Sequence, residues 1–484
     1  MPFNSLGYFL FLPVVYLVFY FIGQRVRWAF LLAASFLFYA ALNVPYLPVV
    51  LALVVITTYI FGIVLGRATN PKVRLALLWG GIAANVLILA VMKYLPRLSK
   101  GMLALLNLFS VHDPIQPIAV FVAIGVSYYV FQAISYLIDV YLETVKPEQH
   151  FGYLALSLAF FPKLLQGPIE RSGNLLPQLK VKYKFNCENV RSGMLLFAWG
   201  LFKKVVIADG LGLYVDAVYN NSNVYGFCGL PLLLATYAYA LQIYMDFSGY
   251  TDMALGSARL FNINLTQNFN GPYIATSVAD FWRRWHISFS SWIRDYIFTP
   301  LEMQWRAWKN WGIAVALIIT FFAAGLWHGA RWGLLVWGLL HGVYLACSVF
   351  YKPYQKKLHK ALGIENTGFL KIWQIFVTFN LVSFAWIFFR ANGVGQAVYV
   401  ISNVFNGSNG LWSGFLLSQG KSQLVFLLIN LLIYLLVVTC MLSKRFVAFF
   451  NANSYVRWFV YYAFILLIFF FNQQANKEFI YFKF

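Results

Sequence analysis

Two of the six histidines sit where titratable groups are rare. His286 closes the run Trp282-Arg283-Arg284-Trp285-His286, and His328, 42 positions later, lies in Trp327-His328-Gly329. Only 11% of the residues are charged, and an apolar chain does not bury a titratable group without cost. A neutral imidazole takes or gives a proton near neutral pH, so the pair points to proton-transfer chemistry inside a membrane. His341-Gly342 follows 13 residues after His328, within the next apolar run. It is the weaker candidate and reads as a packed or supporting residue. His112, His150 and His359 fall in expected loops and carry no such signal. No two of His286, His328 and His341 have the i, i+4 spacing of a helical zinc motif, so no metal is expected.

Other polar residues gather around these histidines. Seven of the fifteen acids lie between Asp209 and Glu302. Asp246, Ser248 and Asp252 stand at membrane depth in Gln242-Ile-Tyr-Met-Asp-Phe-Ser-Gly-Tyr-Thr-Asp252. Such residues face a cavity or substrate by default, although small polar residues also join membrane helices. Asn268-Phe-Asn-Gly-Pro-Tyr273 is a turn. It leads to a helix that Ser277 caps, with Asp280 three residues on. Continued helically, that segment puts Trp282, Trp285 and Phe289 on one face and Arg283 with His286 on another. This suits an amphipathic or re-entrant helix lining a polar cavity, and an interfacial belt of Trp and Arg is the simpler alternative. Glycines around His328 permit a helix break or close backbone approach.

The elements that must position these residues are membrane helices. The hydrophobic fraction is 61% and the mean hydropathy +0.70. Candidate spans are 6–23, 28–42, 46–66, 75–95, 117–142, 190–219, 230–261, 311–326, 331–350, 371–390, 423–442 and 456–472. With weaker stretches near 102–110, 153–166 and 394–405, about 11 to 13 transmembrane or re-entrant helices are expected. The 230–261 span is long enough to be tilted or broken. The fold class is all-α and polytopic, with one integral-membrane domain: scaffold helices in 1–142, a catalytic core in 143–350 and C-terminal helices in 351–484. No cleaved leader is expected, because the first residues lack a basic stretch. Arg25 and Arg27 after the first span place the N-terminus outside.

The net charge of +21 comes from lysines and arginines scattered through short loops, including Lys352, Lys356 and Lys357. These are positive-inside loops facing lipid head groups, not a nucleic-acid surface. The four cysteines have neither redox nor metal spacing.

Several separated motifs together resemble the membrane-bound O-acyltransferase family, in its bacterial polysaccharide (alginate-type) O-acetyltransferase branch. They are Gly125–Tyr141, Phe161–Arg171, Met245–Ala254, Asn268–Tyr273, the two histidine runs, Phe384–Ala391 and Phe479–Phe484. The resemblance covers nearly the whole chain. It implies a ring of helices around a tunnel, with His328 at the position of the family's invariant histidine and His286 at that of a second conserved residue, histidine or asparagine. It further implies a cytosolic acyl thioester donor such as acetyl-CoA and a hydroxyl acceptor. The acceptor would be an exported polysaccharide such as alginate, cellulose or peptidoglycan. The setting would be the bacterial inner membrane, with a periplasmic partner of serine-esterase-like fold.

On that footing, His328 is the general base and His286 its assistant. The developing oxyanion takes a proton donor from His286 or from a nearby indole or guanidinium, and Arg283 and Arg284 are placed to hold donor phosphates. Trp282, Trp285 and Trp327 would line the tunnel. Two other readings stand beside this one. A D-alanyl transferase for teichoic acid would use a carrier-protein thioester, but such relatives are typically shorter. A transporter with a histidine relay is opposed by the absence of internal repeats.

Overall fold

In hydrocarbon no water bonds to the backbone, so long apolar runs must close their hydrogen bonds within a helix. The computed structural model describes residues 1–108, 124–329, 331–365, 367–406, 420–472 and 479–480, and among them every regular element is helical. All twelve expected spans correspond to helices, although 117–123 lie outside the described residues. Among the described residues, six helices are long and apolar enough to cross a membrane: Tyr46–Arg67, Pro71–Lys93, Asn310–His328, Trp332–Ala361, Gly368–Arg390 and Ser454–Phe471. Leu6–Phe21, Arg27–Ala40 and Leu424–Cys440 are apolar but shorter.

Some boundaries differ from the sequence reading. Leu230–Leu260 is one unbroken helix, because Asp246, Ser248 and Asp252 find partners without disturbing its backbone. The span at 190–219 contains a π-helical stretch, Lys203–Ala208, between the helices Cys187–Phe202 and Asp209–Tyr219. Lys352, Lys356, Lys357 and His359, expected in loops, lie instead in a helix that runs as far as Ala361. The weaker stretches resolve into Phe151–Ala159 with Phe161–Leu164, and Val394–Asn403; the 102–110 stretch continues the Pro71–Leu108 helix, and its last two residues lie outside the described set. Residues 407–419, His112 and the motif positions 481–484 also lie outside it.

The chain forms two compact units. The first comprises Met1–Phe197 and Met253–Gln267. Within it, two of the resembling motifs are tied together. The buried Lys163 ammonium donates to Gln132 Oε1 and to the Leu158 carbonyl, the latter at 3.3 Å. Glu170 accepts from Asn174 Nδ2 at 2.9 Å and from the Thr266 hydroxyl at 3.1 Å.

The second unit, Ala198–Asp252 with Asn268–Phe484, contains all three candidate histidines. Its Asn310–His328 and Trp332–Ala361 helices pack backbone to backbone through glycines. A Cβ on Gly338 would stand 2.4 Å from the Phe321 carbonyl oxygen, and one on Gly325 2.6 Å from that of Leu334. This contact fixes the two helices that carry His328 and His341. Gly338→Ala is expected to destabilise the unit by about 1–3 kcal/mol, despite alanine's better helix propensity. A lowered thermal midpoint in detergent checks this, whereas an unchanged midpoint would mean the helices separate freely.

Candidate active site

His286 is positioned by a break in the backbone, not by a helix face. Ser277 caps the Val278–Arg284 helix as expected, its hydroxyl accepting from Asp280 N at 3.1 Å. The helix then stops: Trp285 is extended and His286 is left-handed, at φ +44°. Chain continues as a second short helix, Ile287–Ile293. The single helix expected through Phe289 is therefore corrected, and Arg283 and His286 do not share a face.

The Asn268–Asn270 turn clamps the break. Asn270 N donates to the Arg284 carbonyl at 3.0 Å, and Ile287 N donates to the Asn268 carbonyl at 2.9 Å. Asn268 Oδ1 accepts from Ser288 N and its hydroxyl, at 3.1 and 2.6 Å. A left-handed non-glycine residue costs on the order of 1–3 kcal/mol and persists only when its surroundings over-determine it. These bonds supply that constraint.

The clamp turns the His286 ring into a buried aromatic cluster. It lies edge-on to Phe247 at 4.7 Å, 5.1 Å from Phe289 and 6.3 Å from Trp327. Trp327 stacks on Phe289 at 4.4 Å. His328 ends its helix because Gly329 adopts φ +151°, which side-chain-bearing residues rarely reach. Its ring packs against Trp337 at 5.0 Å, Phe389 at 5.2 Å and the same Phe289 at 6.2 Å. The two histidines thus meet across Phe289 and Trp327.

His341 joins from the other side of Trp337, whose ring is 5.2 Å away. The Trp282 indole N–H donates to His341 Nδ1 at 3.2 Å. That bond places the proton of the neutral ring on Nε2. Nε2 is buried and has no partner among the described residues. Asparagine presents an acceptor close to the position of Nδ1, whereas leucine presents none. His341→Leu is therefore expected to slow turnover about 10- to 100-fold by releasing Trp282 and Trp337, and His341→Asn to stay within a few-fold of the parent. Turnover assays on the two variants check this, and equal losses would mean that Nε2 itself carries the effect.

Trp282 also borders a cavity of about 260 Å³ that Arg283, Ser290, Ser291, Arg294 and Thr320 line with apolar neighbours. Of the two arginines proposed for donor phosphates, only Arg283 reaches this cavity. Arg284 is engaged in structure: its Nε bonds Asp280 at 3.1 Å and its Nη1 the Asn270 carbonyl at 3.3 Å. Trp285 is packed between Phe281 and Trp386, at 5.5 and 5.2 Å, so it is a wall of the core.

The acids on the Leu230–Leu260 helix hold lysines that the sequence reading passed over. Lys204 Nζ lies 2.6 Å from Asp246 and 2.8 Å from Asp209; Lys203 Nζ lies 2.6 Å from Asp252 and donates to the Ser248 hydroxyl at 3.1 Å. The π-helical stretch allows both adjacent lysines to reach that one helix. Asp246 also accepts from Ile480 N at 2.8 Å, and Lys204 sits 4.4 Å above the Phe479 ring. Two lysines inside an apolar span were the available signal. Trp337 was likewise missed, because aromatic residues are common throughout this chain; Phe289 was placed only on a helix face and Phe389 only within a motif.

A family model described as membrane-bound O-acyltransferase matches residues 157–389, the interval containing all three histidines. The peptidoglycan O-acetyltransferase of Helicobacter pylori is 32% identical, over 83% of this chain and 79% of its own length. The probable alginate O-acetylase AlgI of Azotobacter vinelandii is 33% identical, over 90% and 83%. The teichoic acid D-alanyltransferase of Bacillus subtilis is 28% identical, over 64% and 76%.

Proposed function

Because the chain belongs to the membrane-bound O-acyltransferase family, we propose that it transfers acetyl from a cytosolic thioester, acetyl-CoA, to hydroxyl groups of an exported glycan. The setting is the bacterial inner membrane, and a periplasmic serine-esterase-like protein is the expected partner in delivering acetyl to alginate, cellulose or peptidoglycan. The observation that carries this reading is the convergence of His286 and His328 on one buried aromatic cluster.

The chemistry follows from that placement. His328 accepts the proton of the attacking hydroxyl as its oxygen bonds to the thioester carbonyl carbon. The tetrahedral oxyanion takes a hydrogen bond from His286 or a neighbouring N–H group. On collapse the carbon–sulfur bond breaks, and the imidazolium returns its proton to the departing thiolate. The products are an ester and a free thiol, with His328 neutral again.

Charge distribution suits a donor entering from inside. Lys309 precedes one helix, Lys352, Lys356, Lys357 and Lys360 end the next, and Lys371 begins the third. Lys309 and Lys371 thus stand at the helix ends opposite His328 and Arg390. The positive-inside rule makes the lysine end cytoplasmic. His328 then lies toward the outer side, where a hydroxyl of an exported acceptor arrives, and the cavity beside Trp282 lies on the donor side.

The two kinds of O-acetyltransferase relative are tested by mass analysis of surface polysaccharide and peptidoglycan from cells with and without the protein. Loss of O-acetyl groups from one polymer names the acceptor. Unchanged acetylation of every surface glycan would contradict the reading.

A further inference from the structure

A second site lies at the lysine end of the same helices. Three separate segments converge on an open cavity of about 590 Å³. Thr276 enters from the stretch before the Val278–Arg284 helix, Lys356 and His359 from the end of the Trp332–Ala361 helix, and Thr367 and Lys371 from the start of the next. Among the described residues no carboxylate pairs with Lys356 or Lys371. One acid, Glu365, also lines the cavity.

We propose that this cavity binds a phosphate group. Two ammonium groups, a histidine and Thr276 around one concavity match the charge pattern of a phosphate mono- or diester, while the Thr367 hydroxyl is spent on the Ile364 carbonyl at 2.9 Å and the Leu370 N–H at 3.2 Å. Scattered positive-inside lysines need not share a concavity. The site is remote from the chemistry: Lys371 and Phe389, which touches His328, are 18 residues apart on one helix, about 27 Å of rise. It is nonetheless tied to the chemistry through Thr276, which adjoins Ser277, the cap of the helix leading to His286.

Two sources present this chemistry at a cytoplasmic surface: the nucleotide phosphates of a coenzyme A donor and the head group of an anionic phospholipid. The inference does not depend on the role of His328, so a His328→Ala protein retains the site even when it transfers nothing.

The test uses the full chain in nanodiscs of zwitterionic lipid, as parent and as a Lys356→Gln/Lys371→Gln double variant. Coenzyme A binding is read by calorimetry, and retention of added phosphatidylglycerol by native mass spectrometry. A fall of about tenfold or more in coenzyme A affinity, with lipid retention unchanged, supports the donor source. Loss of phosphatidylglycerol retention with coenzyme A binding unchanged supports the lipid source. Glu365→Gln is expected to strengthen whichever ligand binds, by removing a competing carboxylate. If the double variant matches the parent for both ligands, the proposal is overturned.

Discussion

His328→Ala is expected to abolish surface-glycan O-acetylation while the protein still inserts and accumulates. Removing a general base lowers the rate by about 10²–10⁴-fold, which takes cellular acetylation below detection. Accumulation should persist because His328 ends its helix next to Gly329, so truncating it breaks no helix interior. The cavity left among Trp337, Phe389 and Phe289 costs some stability, but the Gly325 and Gly338 contacts that join the helices are untouched. Immunoblotting of membranes alongside acetyl analysis checks both halves. A variant that accumulates and still acetylates would remove His328 from the chemistry.

The second large effect is on stability. Lys204→Met strips Asp246 and Asp209 of an ammonium that lies within 3 Å of each. Breaking a buried pair from one side costs about 3–5 kcal/mol, because the remaining charge stays buried. That is a large share of a typical folding free energy of about 5–15 kcal/mol. Phe479 loses its cation partner as well. The expected outcome is a strong fall in membrane-inserted yield and in the thermal midpoint of the purified protein. A Lys204→Met protein with the parent's midpoint would mean that the cluster is solvated and contributes little.

These two residues illustrate what could be read from the sequence. His328 was legible as a candidate because a titratable group in an apolar run with flanking glycines is rare, and the helices at the expected spans followed from hydropathy, residues 117–123 lying outside the described set. Its relation to His286 was legible only as an expectation. The 41 intervening residues include four short helical pieces and a full-length helix, whose closure depends on tertiary contacts. The break at Trp285–His286 was hidden because the local pattern fits a continuous helix, and it is held by Asn268 and Asn270, which bond to residues 14 to 20 positions further on. Lys203 and Lys204 were hidden for a related reason: they stand inside an expected span, but only the π-helical stretch aligns them with acids more than 40 residues away. Asp246, Ser248 and Asp252 were correctly singled out as unusual, but their partners lie within the protein.

The decisive measurement is transfer of labelled acetyl from acetyl-CoA in sealed inverted membrane vesicles, where the donor meets the cytoplasmic face. Vesicles containing the parent protein should lose labelled thioester and gain labelled O-acetyl ester on the glycan or partner inside, and His328→Ala vesicles should do neither. Equal transfer by both, or transfer only when the donor is supplied to the opposite face, would contradict the assignment of His328 as the base of an inward-fed acyltransferase.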